Sequence, residues 1–227
     1  MAEFAADARG AKKRDYWWTV LATDPVAIPL ARWLTKRRLL SPDQVTALAL
    51  FSGLAVGVAF AYATRWSLAL GGVLFYTAFV LDCVDGKLAR ALGVTSARGA
   101  ALDALADGGR RASASLGLAF FLWHSDGLGS EGTAEVLWLI TYVCLAYYFI
   151  EISGAEKDPA AGGVRGKWSA ALAKRRLLPN PGMPDVQAVV FIIGPVSGLV
   201  VPALWVGIGM VSAAILLTVR RRLKAAG

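Results

Sequence analysis

Long apolar runs divided by short polar breaks recur along the chain from residue 44 onward. A helix needs about 20 apolar residues to cross a hydrocarbon core about 30 Å thick. Six stretches approach or exceed that length, at 44–64, 67–90, 96–123, 133–152, 185–201 and 203–219. The last two belong to one continuous apolar run, divided here near Pro195 to Pro202 because Gly-Pro followed by a second Pro marks a break. Ahead of the first run, DPVAIPLARWLTKRRLL reads as an interfacial helix opened by Asp24-Pro25. Leu30, Trp33 and Leu34 would share its apolar face, with Arg32, Lys36, Arg37 and Arg38 toward lipid headgroups. Pro29 weakens that reading, since a Pro beyond the first turn tends to break a helix. SPDQ at 41–44 follows, a Ser-x-x-Gln capping box with Pro at the first helical position, which starts the first run. The pattern predicts an all-α integral membrane protein of six transmembrane helices behind an N-terminal amphipathic helix. Residues 1–43 form an arm and the interfacial helix, and 44–227 the six-helix domain. There is no internal repeat and no low-complexity tract.

Composition agrees. Of 227 residues 56% are hydrophobic and 18% charged, where a soluble domain carries roughly 45–50% and about 25%. Charge then orients the spans. Of 24 Lys and Arg residues, only Arg65 lies in a loop assigned to the outside, and the 124–132 and 195–202 loops have none. The others fall in the N-terminal arm, around 87–111, in the 157–176 loop and in the RRRLK tail. Basic residues stay on the cytoplasmic side, so both termini are expected inside a multi-pass protein of the cell membrane. The net charge of +8 is read as topology and attraction to anionic lipid. A nucleic-acid partner is not expected, for want of a basic patch interleaved with aromatics. The N-terminus lacks the apolar core and cleavage site of a secretory signal. Cys83 and Cys144, on different segments, give no disulfide framework and read as small buried residues.

Against this background the stretch DCVDGKLARALGVTSARGAALDALAD, residues 82–107, stands out. Asp82 and Asp85 are i, i+3 and share a helix face near the cytoplasmic end of the second span. Asp103 and Asp107 are i, i+4 near the start of the third, and the glycine-flanked segment between can turn the chain. Four carboxylates brought together repel, and desolvation adds several kcal/mol per charge. Divalent metal resolves this: an oxygen-only set suits Mg²⁺, Mn²⁺ or Ca²⁺ rather than zinc, and Mg²⁺-type sites usually hold substrate phosphates too. Small residues nearby, Gly86, Ala89 and Gly99, let a ligand approach the backbone. The plainer alternative is ordinary helix ends salt-bridged to Lys87, Arg90, Arg98, Arg110 and Arg111, but two helically phased pairs at the end of apolar spans argue for a site.

The same residues carry a family resemblance. They match position for position the signature of the CDP-alcohol phosphotransferases, D-x2-D-G-x2-A-R-x8-G-x3-D-x3-D, filled by Asp82, Asp85, Gly86, Ala89, Arg90, Gly99, Asp103 and Asp107. SPDQVT resembles the family's Pro-Asn-x-x-Thr, with Thr46 in place and Asp43 where Asn is common. Beyond about residue 125 the similarity is architectural. The resemblance implies transfer of a phosphoalcohol group from a CDP-linked donor to an acceptor hydroxyl, with release of CMP and use of Mg²⁺ or Mn²⁺. It implies that Asp82, Asp85 and Asp103 hold metal, and that Asp107 is the general base and also a metal contact. Thr46, Gly86, Ala89, Arg90 and Gly99 would bind CDP. A homodimer is a common state among proteins of this kind.

The acceptor is less legible. The donor could be CDP-diacylglycerol with a polar acceptor, or a CDP-alcohol with diacylglycerol. Arg110 and Arg111 follow Asp107 by three and four residues, to hold an acceptor phosphate or to neutralise Asp107. Arg165 and Lys167, in a loop with six basic residues, could also bind a phosphate or serve only as topology charges. Trp138, Tyr142, Tyr147, Tyr148 and Phe149 on the fourth span read as belt and packing, with a choline cage as the remote alternative. His124 sits at the outer end of the third span and Glu151 near the inner end of the fourth; neither is given a role. A cation-coupled transporter is the rival class, but it calls for acids at mid-membrane depth and repeated halves, and the chain has neither. An inactive homologue is opposed by the complete signature.

Overall fold

The computed structural model describes residues 12–124, 130–154 and 167–226. Helix dominates, and no strand occurs among the described residues. The helices are α1 (Asp24–Arg37), α2 (Pro42–Ala61), α3 (Arg65–Leu92), α4 (Ala97–His124), α5 (Ser130–Gly154), α6 (Lys167–Lys174), α7 (Met183–Ala188), α8 (Gly194–Ser197) and α9 (Val200–Ala226). A π-helical turn, Val189–Ile193, joins α7 to α8 into one apolar rod. Helices thus stand where all six apolar runs predicted them. Four stretches, Pro42–Ala61, Arg65–Leu92, Thr133–Ser153 and Val200–Leu223, are long and apolar enough to cross a membrane. Met183–Ser197 is apolar but shorter, and α4 carries Arg98, Asp103, Asp107, Arg110 and Arg111 in its first half.

Local chemistry sets the ends. The capping box forms as expected: the Ser41 side chain accepts from the Gln44 N–H and the Gln44 side chain from the Ser41 N–H. Gly93 ends α3 in the left-handed region at φ 66°, a conformation without steric cost for glycine. The long apolar run breaks within the expected interval, α8 ending at Ser197, Gly198 at φ 80° and α9 beginning at Val200. Arg65, at the start of α3, donates to the Pro195 and Val196 carbonyls there (3.0 and 2.7 Å). Arg65 thus caps carbonyls at the break, of which the Pro195 carbonyl also accepts from the Gly198 N–H at 3.3 Å.

α2 packs between α3 and α4, and small residues allow it. Gly53 and Gly57 face Arg110, Ser113 and Gly117 of α4, and Ser113 Oγ donates to the Leu54 carbonyl at 2.8 Å. Without a hydrophobic force between helices in lipid, such close approach supplies the packing. A Cβ at Gly117 would fall on the Gly57 backbone, so Gly117→Val must push α2 away. Overpacking of this kind typically costs about 1–3 kcal/mol. The variant is expected to melt several degrees below wild type in the same detergent; an unchanged melting temperature would show that the α2–α4 contact is not tight.

The second half of the chain closes on this unit around Phe60, Phe75, Tyr142, Phe191 and Leu204, with Phe75 and Phe191 stacked at 5.1 Å. The aromatics of α5 do not converge. Tyr142 is buried against Phe191, Trp138 lies on Trp205 at 4.0 Å, and Tyr147 and Tyr148 are exposed, so they form no choline cage.

The structure differs from expectation in three further respects. Helical turns begin before Asp24, as a π-helical turn at Thr19–Thr23, so Asp24 does not open the helix. The inner face of α1 is Ala27, Ala31 and Leu34, packed on Val80, Val84 and Leu88 of α3, whereas Trp33 is exposed. Alanines at i and i+4 with Leu34 at i+7 let α1 lie against α3, and that separates Trp33 from Leu34. Arg32, Lys36, Arg37 and Arg38 do face outward. Finally, Cys144 is exposed on α5 rather than buried, while Cys83 is partly covered.

Candidate active site

Where α3 ends and α4 begins, the chain encloses an open cleft of about 320 Å³. α2 contributes Asp43 and Thr46; α3 contributes Asp82, Asp85, Gly86, Lys87, Ala89 and Arg90; the turn and α4 contribute Ser96, Gly99 and Asp103. All five residues expected to bind CDP, Thr46, Gly86, Ala89, Arg90 and Gly99, line this one space, together with three of the four aspartates.

The helical phasing places the acids. Asp85, buried, accepts from Thr46 Oγ1 at 2.5 Å, which ties α2 to α3. Asp82 is largely covered, and its Oδ1 has no hydrogen-bond partner. Asp103 is exposed at the rim. Asp107 stands one turn further along α4 with both oxygens engaged, one by Arg110 and the other by Arg111 at 3.1 Å. Arg110 is only 2% exposed. Its other terminal nitrogen lies 3.9 Å from Asp82, and its guanidinium sits over the Phe75 and Phe79 rings at 5.3 and 5.1 Å. The guanidinium thus stands between Asp82 and Asp107, and among the described residues no three acidic side chains close on one point. The donor set nevertheless suits a hard divalent cation: it is all oxygen, three acids face one cleft, and a buried carboxylate oxygen on Asp82 is unpartnered.

Some residues of the cleft were not foreseen. Lys87 is buried and paired to Asp24 at 2.9 Å, and the other Asp24 oxygen pairs with Arg176 at 3.0 Å. Lys12 and Asp15 form part of the wall. The arm that carries them runs beside residues 176–178: the Asp15 N–H donates to the Arg176 carbonyl (2.9 Å), and the Leu178 N–H donates to the Asp15 carbonyl (3.0 Å). Trp17 Nε1 donates to the Leu178 carbonyl, and the Asp185 carboxylate accepts from the Trp18 and Gly182 N–H groups (2.6 and 2.7 Å). A buried lysine demands a partner, which is the sequence signal Lys87 offered; its acidic partner, Asp24, lies 63 positions away and shares no periodicity with it. Arg165 and the side chain of Lys167 lie outside the described residues.

Comparison with known proteins fits this geometry. Residues 39–172 match the family model described as CDP-alcohol phosphatidyltransferase. Over 122 residues the chain is 36% identical to a phosphatidylinositol phosphate synthase of Streptomyces avermitilis, a match covering 53% of this chain and 46% of that protein. The matched region thus spans about half the length of that curated relative. Among solved structures, the chain is similar to the phosphatidylinositol phosphate synthase of Mycobacterium tuberculosis with CDP-DAG bound. The TM-score is 0.59 at 23% identity, over 88% of this chain and 92% of that one. The same enzyme in complex with manganese and citrate gives a TM-score of 0.53 at 19% identity, over 85% and 86% of the two chains. At such identities the structural likeness is one of fold.

Proposed function

The chain belongs to the CDP-alcohol phosphatidyltransferase family, and on that premise we propose that it transfers a phosphatidyl group from CDP-diacylglycerol to a polar alcohol, releasing CMP. The observation that carries this reading is the convergence of the signature residues on one cleft at the end of two apolar helices. In this reading all six helical segments span the cell membrane, both termini are cytoplasmic, and the cleft meets a water-soluble nucleotide headgroup at the bilayer surface.

Asp82, Asp85 and Asp103 would hold Mg²⁺ or Mn²⁺ with the donor's diphosphate, and Asp107 completes the set from α4. The metal, when bound, neutralises charge developing on the phosphates and orients them. Thr46 fixes Asp85 through its hydroxyl. Gly86, Ala89 and Gly99 leave room for the nucleotide against the helix backbones, and Arg90 is placed at the same wall. The acceptor oxygen attacks the phosphorus that bears the diacylglycerol, the bond to CMP breaks, and Asp107 takes the hydroxyl proton. Arg111 holds Asp107 in place for that task. Phosphorylated inositol is the acceptor to test first, because the relatives are phosphatidylinositol phosphate synthases.

The test is CMP release by purified protein with CDP-diacylglycerol and Mg²⁺ or Mn²⁺, offering inositol phosphate, glycerol phosphate, serine and inositol singly. Release with one acceptor establishes reaction and product together. Silence from folded protein with all four moves the reading to a CDP-alcohol donor with diacylglycerol. Silence there as well would leave an inactive homologue.

A further inference from the structure

Arg110 is an unusual neighbour for an acid cluster intended for metal. It is more deeply buried than Asp82 and Asp107, with only 2% of its surface exposed. Its two carboxylate contacts are unequal. It hydrogen-bonds Asp107, but meets Asp82 only at 3.9 Å, and both Asp82 Oδ1 and Arg110 Nε remain without hydrogen-bond partners. One half of the bridge is made and the other is left loose. Beneath the guanidinium, Phe75 and Phe79 present their rings at cation–π distance, a resting place for the charge that does not depend on the carboxylates.

Resting on the metal-dependent reading above, we propose that Arg110 is the resident counter-cation of the cluster, a positioning residue that divalent metal must displace from Asp82 and Asp107. Without metal, the guanidinium offsets repulsion between acids on α3 and α4 and keeps the two helices in register. When metal enters, the loose contact to Asp82 yields first. The guanidinium, already over the two phenylalanine rings, stays on them and gives up Asp107, which turns to the cleft. A fixed positive charge this close opposes cation binding, so metal alone binds weakly. The diphosphate of a nucleotide compensates by adding negative charge, and metal and nucleotide therefore bind cooperatively, each strengthening the other by the same factor.

The experiment reads Mn²⁺ binding by the disappearance of the free-ion electron paramagnetic resonance signal, with and without CDP, in full-length protein in detergent. Arg110→Gln is expected to bind Mn²⁺ alone about tenfold tighter than wild type, and to show a smaller gain on adding CDP. Arg110→Lys retains a buried charge but lacks the fork that reaches both acids, so its affinity should fall between the two; it also serves if the Gln variant does not fold. Arg111→Gln removes a charge that is about one-third exposed (32%), and should shift Mn²⁺ affinity less than Arg110→Gln. Unchanged or weaker Mn²⁺ binding in both Arg110 variants would overturn the proposal while leaving the metal site intact. If wild type and all variants bind no Mn²⁺, with or without CDP, the metal-dependent reading itself falls and takes this inference with it.

Discussion

Asp107→Asn is expected to lower the rate of CMP release about 10³-fold while changing affinity for CDP-diacylglycerol little, because a positioned base typically contributes 10²–10⁴-fold. The substitution preserves size and leaves one oxygen for the arginines, but the amide cannot take a proton from the acceptor. The geometry supports a separate role for this residue: Asp107 stands off the cleft wall and is held on α4 by Arg110 and Arg111, whereas Asp82, Asp85 and Asp103 line the cleft itself. The check is a paired measurement, single-turnover CMP release beside equilibrium binding of the donor. A loss of donor binding as large as the loss of rate would show that Asp107 acts as a metal ligand and not as the base.

Asp82→Asn should show the opposite pattern. Its buried Oδ1 accepts no hydrogen bond and meets Arg110 only at 3.9 Å, so its negative charge is open to an incoming cation. Replacing a unit of negative charge beside a divalent ion is expected to weaken Mn²⁺ binding about a hundredfold. Donor binding should weaken in parallel when metal is present and hardly at all when metal is chelated. The decisive comparison is therefore donor affinity with and without chelator. Full activity at ordinary metal concentration would dispose of Asp82 as a ligand. The variant's folding should be unharmed, since removing one carboxylate from a crowded group relieves repulsion.

How far the sequence anticipates the molecule depends on the range of the interaction. Asp82 with Asp85, and Asp103 with Asp107, were legible because helical phasing is local, and their convergence needed only a short turn. Ser41 with Gln44 and the break at Pro195–Pro202 are likewise written within a few residues. Thr46 was found through its place in the family pattern, and its hydroxyl does reach Asp85. The face of α1 was misjudged at Trp33 because hydrophobicity favoured it, whereas close packing on α3 favours Ala27 and Ala31 beside Leu34. The Lys87–Asp24–Arg176 chain of charges and the arm alongside Arg176–Leu178 were invisible, since each joins segments far apart in sequence with no repeating pattern to pair them. For Arg110 the sequence left two roles open, phosphate holder or partner of Asp107, and only its burial against Phe75 and Phe79 separates them.

The arm has a consequence in time. Residues 12–18 are synthesised before α1 to α5, yet their partners, Arg176 to Asp185, emerge only after more than 150 further residues. Closing so long a loop comes late in folding. Lys12 and Asp15 therefore complete the wall of the cleft as one of the last acts of maturation. A nascent or truncated chain lacking the segment around residue 178 would carry the aspartates in a cleft whose Lys12–Asp15 wall is not yet fixed.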